Sequence, residues 1–305
     1  MFQSVINLVY RTPASALKRY RHFGGYFNYQ SIQHAKKMMK KQSLALEPVH
    51  SESSGLPVYI LTGKDFLYQT LFCIHSLRSV STQHYRFILV DDGTFDKDFI
   101  EQANRQLPGA RLVHRKEIEH YQQQRLARSQ FPGLYHKRLV YPHIKKLSDI
   151  HLIPEDAWKV TIDSDQLFFQ NPATLNQWIQ NPTQPLHALD CKQSYGYSTT
   201  LMTDLCGSAV PDLLNVGIIG LQSSSIPWES IEKWIHELEH QEGTSYFLEQ
   251  ALSAMIIGDQ KSTVLDRDQY IVNPTPQDIK LRRGTLHHYV DLSKEGYFKY
   301  AWKQL

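Results

Sequence analysis

Cysteine is scarce in this 305-residue chain: Cys73, Cys191 and Cys206 form an odd set with no CxxC pair. That excludes a disulfide scaffold and a zinc ribbon, and it fits a reducing, cytoplasmic compartment. No run approaches the roughly 18 apolar residues that a membrane span needs. Met1 to Tyr10 is too polar and too short for a secretory core and has no small-residue cleavage pattern. The 15 histidines are scattered, without an HExxH or a paired zinc spacing. Internal repeats and low-complexity tracts are absent. Acidic residues are almost missing from the first 50 positions, where Glu47 stands against eight Lys and Arg. The remaining 255 residues carry a net charge of −4, so the basic excess is local. A basic body clamping a nucleic-acid backbone is thereby excluded.

What is present is ordinary globular material, 41% hydrophobic and 21% charged, long enough for two domains or one large α/β domain with additions. Residues 1–50 read as a basic helical appendage broken at Gly24-Gly25. Its Lys36-Lys37-Met38-Met39-Lys40-Lys41 run suits either peripheral contact with an anionic membrane surface or a solvated helix packed through its Met and Leu side chains. The second reading is preferred. Residues 51–305 read as the main domain, opening on a short SESSG linker over 51–55. Val58 to Thr62 reads as a strand and Phe66 to Val80 as a helix. Tyr85 to Val90 is a second strand, Phe95 to Leu107 a helix and Ala110 to Val113 a third strand. This β-α-β-α-β order predicts a mostly parallel central sheet with helices on both faces. A basic helix is expected over Leu134 to Leu147, and a strand over Trp158 to Ile162. Leu186 to Leu189 and Val216 to Leu221 continue the strand pattern. Helices are expected at Pro227 to His240 and Tyr246 to Ile257.

Ligands of such sheets bind beyond the carboxyl ends of the strands. Three strands here end in polar turns: Thr62-Gly63-Lys64-Asp65, Asp91-Asp92-Gly93 and Asp163-Ser164-Asp165. The third carries most weight. Residues i and i+2 leaving a strand point the same way, and two carboxylates aimed together suit Mg²⁺ or Mn²⁺. With 17 Asp in the chain, about one D-x-D is expected by chance, and there are three. Asp96/Asp98 begins a helix and Asp266/Asp268 lies in a polar loop. Only Asp163/Asp165 sits between an apolar strand and an apolar Leu167-Phe168-Phe169.

Around that pair the chain, from about Val58 to Trp302, resembles the GT-A-fold glycosyltransferases, most of all the retaining family 8. Val58 to Asp65 followed by FILVDDG resembles the nucleotide-binding start of that family. Tyr135-His136-Lys137-Arg138-Leu139 resembles its YxRL helix, and WKVTIDSDQLFF its DXD metal strand. Leu189-Asp190, Asn215-Val216-Gly217 and Glu249-Gln250 resemble its donor-sugar elements. His288-Tyr289 followed by Lys294 resembles its C-terminal HYxGxxK motif, with Asp291 standing where the family has Gly.

The resemblance implies a Rossmann-like GT-A fold and transfer of a hexose from a UDP-sugar to a hydroxyl acceptor, with retention at C1. It implies Asp163, Asp165 and His288 as ligands of Mn²⁺ or Mg²⁺. Lys294 would contact the diphosphate, Arg138 would lie near the nucleotide and donor sugar, Asp65 or Asp92 would accept from uracil or ribose groups, and Thr62 and Ser164 would also line the donor. Asn215, Asp190, Gln250 and Glu249 would surround the reacting sugar. The residue types suit those tasks: a divalent ion and cationic side chains stabilise charge on a departing diphosphate, and amides and carboxylates orient hydroxyls. Each also has a plainer reading. Lys137 and Arg138 suit a solvated helix face, and Asn215-x-Gly217 suits a turn. Trp178, Trp228 and Trp234 read as core. Two rivals to the transferase remain: a silent sugar-nucleotide or glycan-binding protein on the same fold, and a nucleotidyltransferase. The second ordinarily needs a Gly-rich phosphate loop, for which Thr62-Gly63-Lys64 is too short.

Overall fold

The computed structural model describes residues 12–305, so the reading of Met1 to Tyr10 lies outside the described residues. Among the described residues, ten strands and thirteen α-helices follow in chain order. Helices α1 (Thr12–His22) and α2 (Tyr26–Ser43) are separated by Gly24 and Gly25, both at positive φ. The alternating half comprises β1 (Leu56–Thr62), α3 (Leu67–Val80), β2 (Tyr85–Asp91), α4 (Lys97–Gln106), β3 (Arg111–Val113), α5 (Arg115–Arg125), α6 (Pro132–Val140), α7 (Ile144–Leu152) and β4 (Trp158–Ile162). Then come β5 (Gln166–Phe168), α8 (Ala173–Gln180), β6 (Leu186–Leu189), α9 (Thr199–Cys206), β7 (Leu214–Gln222), α10 (Trp228–Glu242) and α11 (Leu248–Ile257). The chain ends with β8 (Thr263–Val264), β9 (Tyr270–Val272), α12 (Pro276–Leu281), β10 (Leu286–His288) and α13 (Ser293–Lys299).

Seven strands form one sheet in the order β3-β2-β1-β4-β7-β6-β8, parallel throughout except for β7. The near-continuous apolar runs of β1 and β2 are divided by strand alternation. Val58, Ile60, Phe87 and Leu89 face the core under α3, α4 and α8, whereas Tyr59, Ile88 and Val90 face Ile118, Ile150 and Ile153 of the other layer. The helices α6, α10 and α11 close that second face over Leu214, Val216, Ile219 and Leu221 of β7. Trp178 lies flat against Gly220 of β7, where a Cβ would stand 2.3 Å from its ring. Trp178 and Trp234 are buried in the cores on opposite faces of the sheet, and Trp228 packs against the Trp234 side, as expected.

The helix expected over 134–147 is two helices. Pro142 removes a backbone donor and turns Tyr141 out of helical conformation (φ −134°, ψ 82°), and the chain restarts at Ile144. Residues 26–43, read from sequence as part of an appendage, share a core with the body. Ile32, Ala35 and Met39, one stripe of α2, pack with Tyr68, Phe72, Tyr297 and Trp302. The SESSG segment is docked rather than free: Glu52 N–H bonds Tyr85 C=O, and Ser51 Oγ accepts from Phe87 N–H.

Candidate metal and donor site

Because β1, β2, β4 and β6 run parallel, their carboxyl ends meet at one edge, and antiparallel β7 begins there. Asp163 leaves β4 beside Gly217 of β7, its N–H bonded to Gly217 C=O at 2.8 Å. A second sheet, β5-β10-β9, adds the C-terminal motif: β10 pairs antiparallel to β5 with His288 opposite Gln166. Tyr289 N–H closes the same junction on Asp165 C=O at 3.0 Å. Asp163, Asp165 and His288, far apart in sequence, thus converge with their ligand atoms within 4.8 Å of one another.

The histidine is oriented by its neighbours. Asn215 Nδ2 donates to Asp190 Oδ2 at 3.1 Å, which fixes the amide so that Oδ1 accepts from Gly217 N–H (2.9 Å) and from His288 Nδ1 (3.2 Å). The proton therefore sits on Nδ1, and the Nε2 lone pair faces Asp165 Oδ1 at 3.4 Å and Asp163 Oδ2 at 3.7 Å. Nε2 is buried and has no hydrogen-bond partner. Two carboxylates and an unpartnered imidazole nitrogen, backed by a hydrogen-bonded amide, fit a hard or borderline divalent cation. Gly217 is required at this point, since a Cβ would lie 2.3 Å from the His288 ring and 2.7 Å from Gln166 Nε2.

Two lysines neutralise the carboxylates. Lys294 Nζ bonds Asp165 Oδ2 at 2.7 Å, and Lys146 Nζ bonds Asp163 Oδ1 at 2.8 Å and Val216 C=O at 2.9 Å. Burial pushes the Asp165 carboxyl up, but the Lys294 ammonium bonded to it outweighs this and holds it well below the usual range. Burial likewise pulls Lys146 down, but Asp163 and Glu249 reverse the shift and keep it cationic. Glu249 Oε1 stands 3.5 Å from Lys146, and burial of its carboxyl pushes its pKa up to about 7 against the pull of that lysine. Gln250, next along α11, donates to Asp190 Oδ2 at 3.2 Å, and Asp190 Oδ1 accepts from Cys191 N–H at 2.7 Å. Glu249 and Gln250 so enter two adjoining strings, Glu249–Lys146–Asp163 and Gln250–Asp190–Asn215–His288, which meet at the carboxylate pair.

Not every residue singled out from sequence is there. Arg138 is held elsewhere: its Nε and one terminal nitrogen bond both oxygens of buried Asp149 at 2.6 and 2.9 Å, and the other bonds Gln122. Lys137 pairs with Glu239 rather than lining a solvated face. The basic residue that this part of the chain does bring to the carboxylates, beside Lys294, is Lys146, followed by Leu147 on α7. A basic-Leu step on a helix before β4 was the available signal, and Lys146 and Arg138 both offered it. Thr62 is buried with its hydroxyl 2.7 Å from that of Thr70, so it faces inward. Asp92 caps its own turn, accepting from Thr94 N–H and Oγ–H at 3.0 and 2.6 Å, and only a glycine at position 63 leaves room for its carboxylate. Asp65 is exposed at the same edge, and Ser164 is half-buried between the two ligand candidates. Asp291 has φ +49°, a left-handed conformation that glycine favours and Asp tolerates, which accounts for its place in the motif. Sequence reading also missed the site's mouth, where Tyr141 Oη–H bonds Tyr246 C=O at 2.5 Å and the His143 and Tyr246 rings lie 4.9 Å apart.

At the level of sequence no family model and no curated protein matches the chain. Solved structures do. A galactosyltransferase, LgtC, solved with donor and acceptor sugar analogues, aligns at TM-score 0.51 and 13% identity over 82% of this chain and 96% of its own. The mouse xyloside xylosyltransferase 1 aligns at TM-score 0.51 and 12% identity, over 79% of this chain and 97% of its own. The bifunctional glycosyltransferase WbbM gives TM-score 0.51 and 13% identity, over 85% of this chain and 52% of its own. The fold is GT-A. At these identities the likeness concerns the fold, and the expected mainly parallel α/β sheet is borne out.

Proposed function

We propose that the protein is a metal-dependent glycosyltransferase that moves a hexose from a UDP-sugar to a hydroxyl acceptor with retention at C1. The observation that carries this reading is the buried, unpartnered His288 Nε2 aimed at the Asp163 and Asp165 carboxylates at the ligand edge of a GT-A sheet. A divalent cation held by Asp163, Asp165 and His288 would supply Lewis-acid stabilisation of the departing diphosphate.

The chain's own residues have separable tasks in that reaction. Breaking the C1–O bond leaves its electron pair on the diphosphate, and the acceptor oxygen gains the bond to C1 as its proton leaves. Lys294, on the first turn of α13, is the cation placed to meet that growing negative charge. Asp190 keeps lone pairs free on a carboxylate whose orientation three N–H donors fix, which suits it to sugar hydroxyls. Gln250 shares that task, its amide pinned to Asp190. Glu249 is committed to Lys146 and holds that ammonium against Asp163. Asp65 and Asp92, at the ends of β1 and β2, remain the proposed contacts of the uridine. Retention fits a site whose carboxylates are all engaged by cations or amides rather than poised as a hydrolase pair.

The test is a panel of UDP-sugars with Mn²⁺, followed by UDP release and by NMR of the product anomer. Turnover with the donor's anomeric configuration is the expected result. An inverted product would refute retention, and tight UDP binding without turnover on any sugar would favour a silent binding protein.

A further inference from the structure

We propose that the groove between α2 and the turn after β1 is a second anion site, separate from the Asp163 cluster, which takes a phosphate monoester or diphosphate group. It is a cavity of about 310 Å³ lined by Lys37, Lys40 and Lys41 from α2 and by Lys64 across from them, with Leu67, Tyr68 and Gln102 among the other walls. No acidic residue lines it. Among the described residues none of these four lysines forms an ion pair.

The arrangement follows from helix geometry. Ile32, Ala35, Met39 and Ser43 are the buried stripe of α2. Lys37, Lys40, Lys41 and Leu44, spaced three and four apart, form the adjoining stripe along the groove. Helix packing thus fixes three ammonium stems beside a fourth that the β1–α3 turn supplies. Like charges gathered at a concave surface repel one another and focus positive potential, and an anion with two or more charges relieves both. Tyr68 divides the groove from the metal cluster, lining one while its buried phenol senses the Asp165 charge of the other. The ligand chemistry is shared by two sources. A soluble phosphate would fill the groove alone. A phospholipid headgroup would also set Met38, Leu44 and Phe66, all exposed, against acyl chains.

The test is titration of inorganic pyrophosphate in EDTA, which keeps metal from the Asp163 cluster, and sedimentation with vesicles of phosphatidic acid in phosphatidylcholine or of phosphatidylcholine alone. The proposal expects metal-free binding of pyrophosphate, of phosphatidic acid vesicles, or of both. That binding should weaken at least about tenfold in Lys40→Glu/Lys64→Glu and persist in Lys294→Ala. It should stay unchanged in Lys116→Glu/Lys261→Glu, which makes the same charge change at exposed positions elsewhere. Pyrophosphate alone identifies a soluble ligand, and vesicles alone a headgroup. Binding of neither probe, or equal loss in the control pair, overturns the proposal. Should the groove variant fail to fold, Lys40→Met/Lys64→Met is read in its place.

Discussion

Asn215 has one side-chain oxygen, and the structure commits it to Gly217 N–H and His288 Nδ1. Its value to the site is that it sets the tautomer of a histidine it does not replace. Asn215→Leu is expected to weaken Mn²⁺ binding 10- to 100-fold, the usual cost of losing an outer-shell partner, with the fold intact. A Mn²⁺ titration checks this, and an unchanged affinity would remove Asn215 from the site. Arg138 makes the opposite case. Its loss leaves Asp149 buried without its cation, so Arg138→Ala should cost about 3–5 kcal/mol in urea unfolding and leave UDP affinity as it was. A selective loss of UDP affinity would restore the nucleotide role that its sequence context suggested. The two residues mark how far the sequence could be read at this scale. The carboxylate pair was legible from strand alternation, and His288 and Lys294 from the resemblance to the family's C-terminal motif. Lys146 was hidden because a basic-Leu step carries no sign of which of two neighbouring helices faces the metal edge.

Short strands were legible where the alternation of elements framed them, as for β3 and β6, whereas the helices α5, α8 and α9 were not anticipated. β1, β2 and β4 appear within two residues of where their apolar runs place them. Strands β5, β9 and β10 have three residues each, too few for a pattern, although β10 is the element that delivers His288. Pro142 was a readable break that the basic residues on either side obscured. Two predictions belong to elements. Gly217→Ala forces a Cβ against the His288 ring where β7 passes β10. It should lower both thermal stability and Mn²⁺ affinity, and normal binding of the ion would show that β10 has room to yield. Helix α7 carries buried His151, whose pKa burial and Lys159 pull down to about 3 from 6.5. The folded state therefore binds fewer protons than the unfolded chain between those values, and stability falls as pH drops below 6.5. The loss from this group should reach roughly 3 kcal/mol by pH 4, at about 1.4 kcal/mol per pH unit. Denaturant titrations at pH 7 and pH 4 should show a smaller difference for His151→Gln than for the unmodified protein. Equal differences would place the acid sensitivity elsewhere.

At the scale of the molecule, the sheet directions decide where chemistry occurs. Parallel strands gather the polar turns of β1, β2, β4 and β6 at one edge, and antiparallel β7 adds Asn215 and Gly217 from its start. The sequence pattern announced that edge, together with the mainly parallel sheet. The preferred reading of the basic segment, a helix packed through its Met and Leu side chains, agrees with Met39, which packs on the body together with Ile32 and Ala35. Charge on the basic segment is consequently held close to the sheet edge rather than displayed on a free arm. No described helix is long and apolar enough to cross a membrane. The proposed function requires that this edge bind a nucleoside diphosphate through a cation. Calorimetric titration of UDP into the unmodified protein and into Asp165→Asn, each with Mn²⁺ and with EDTA, tests it most directly. The account predicts tight binding only for the unmodified protein with Mn²⁺. Binding that survives EDTA, or that Asp165→Asn leaves unchanged, would contradict it.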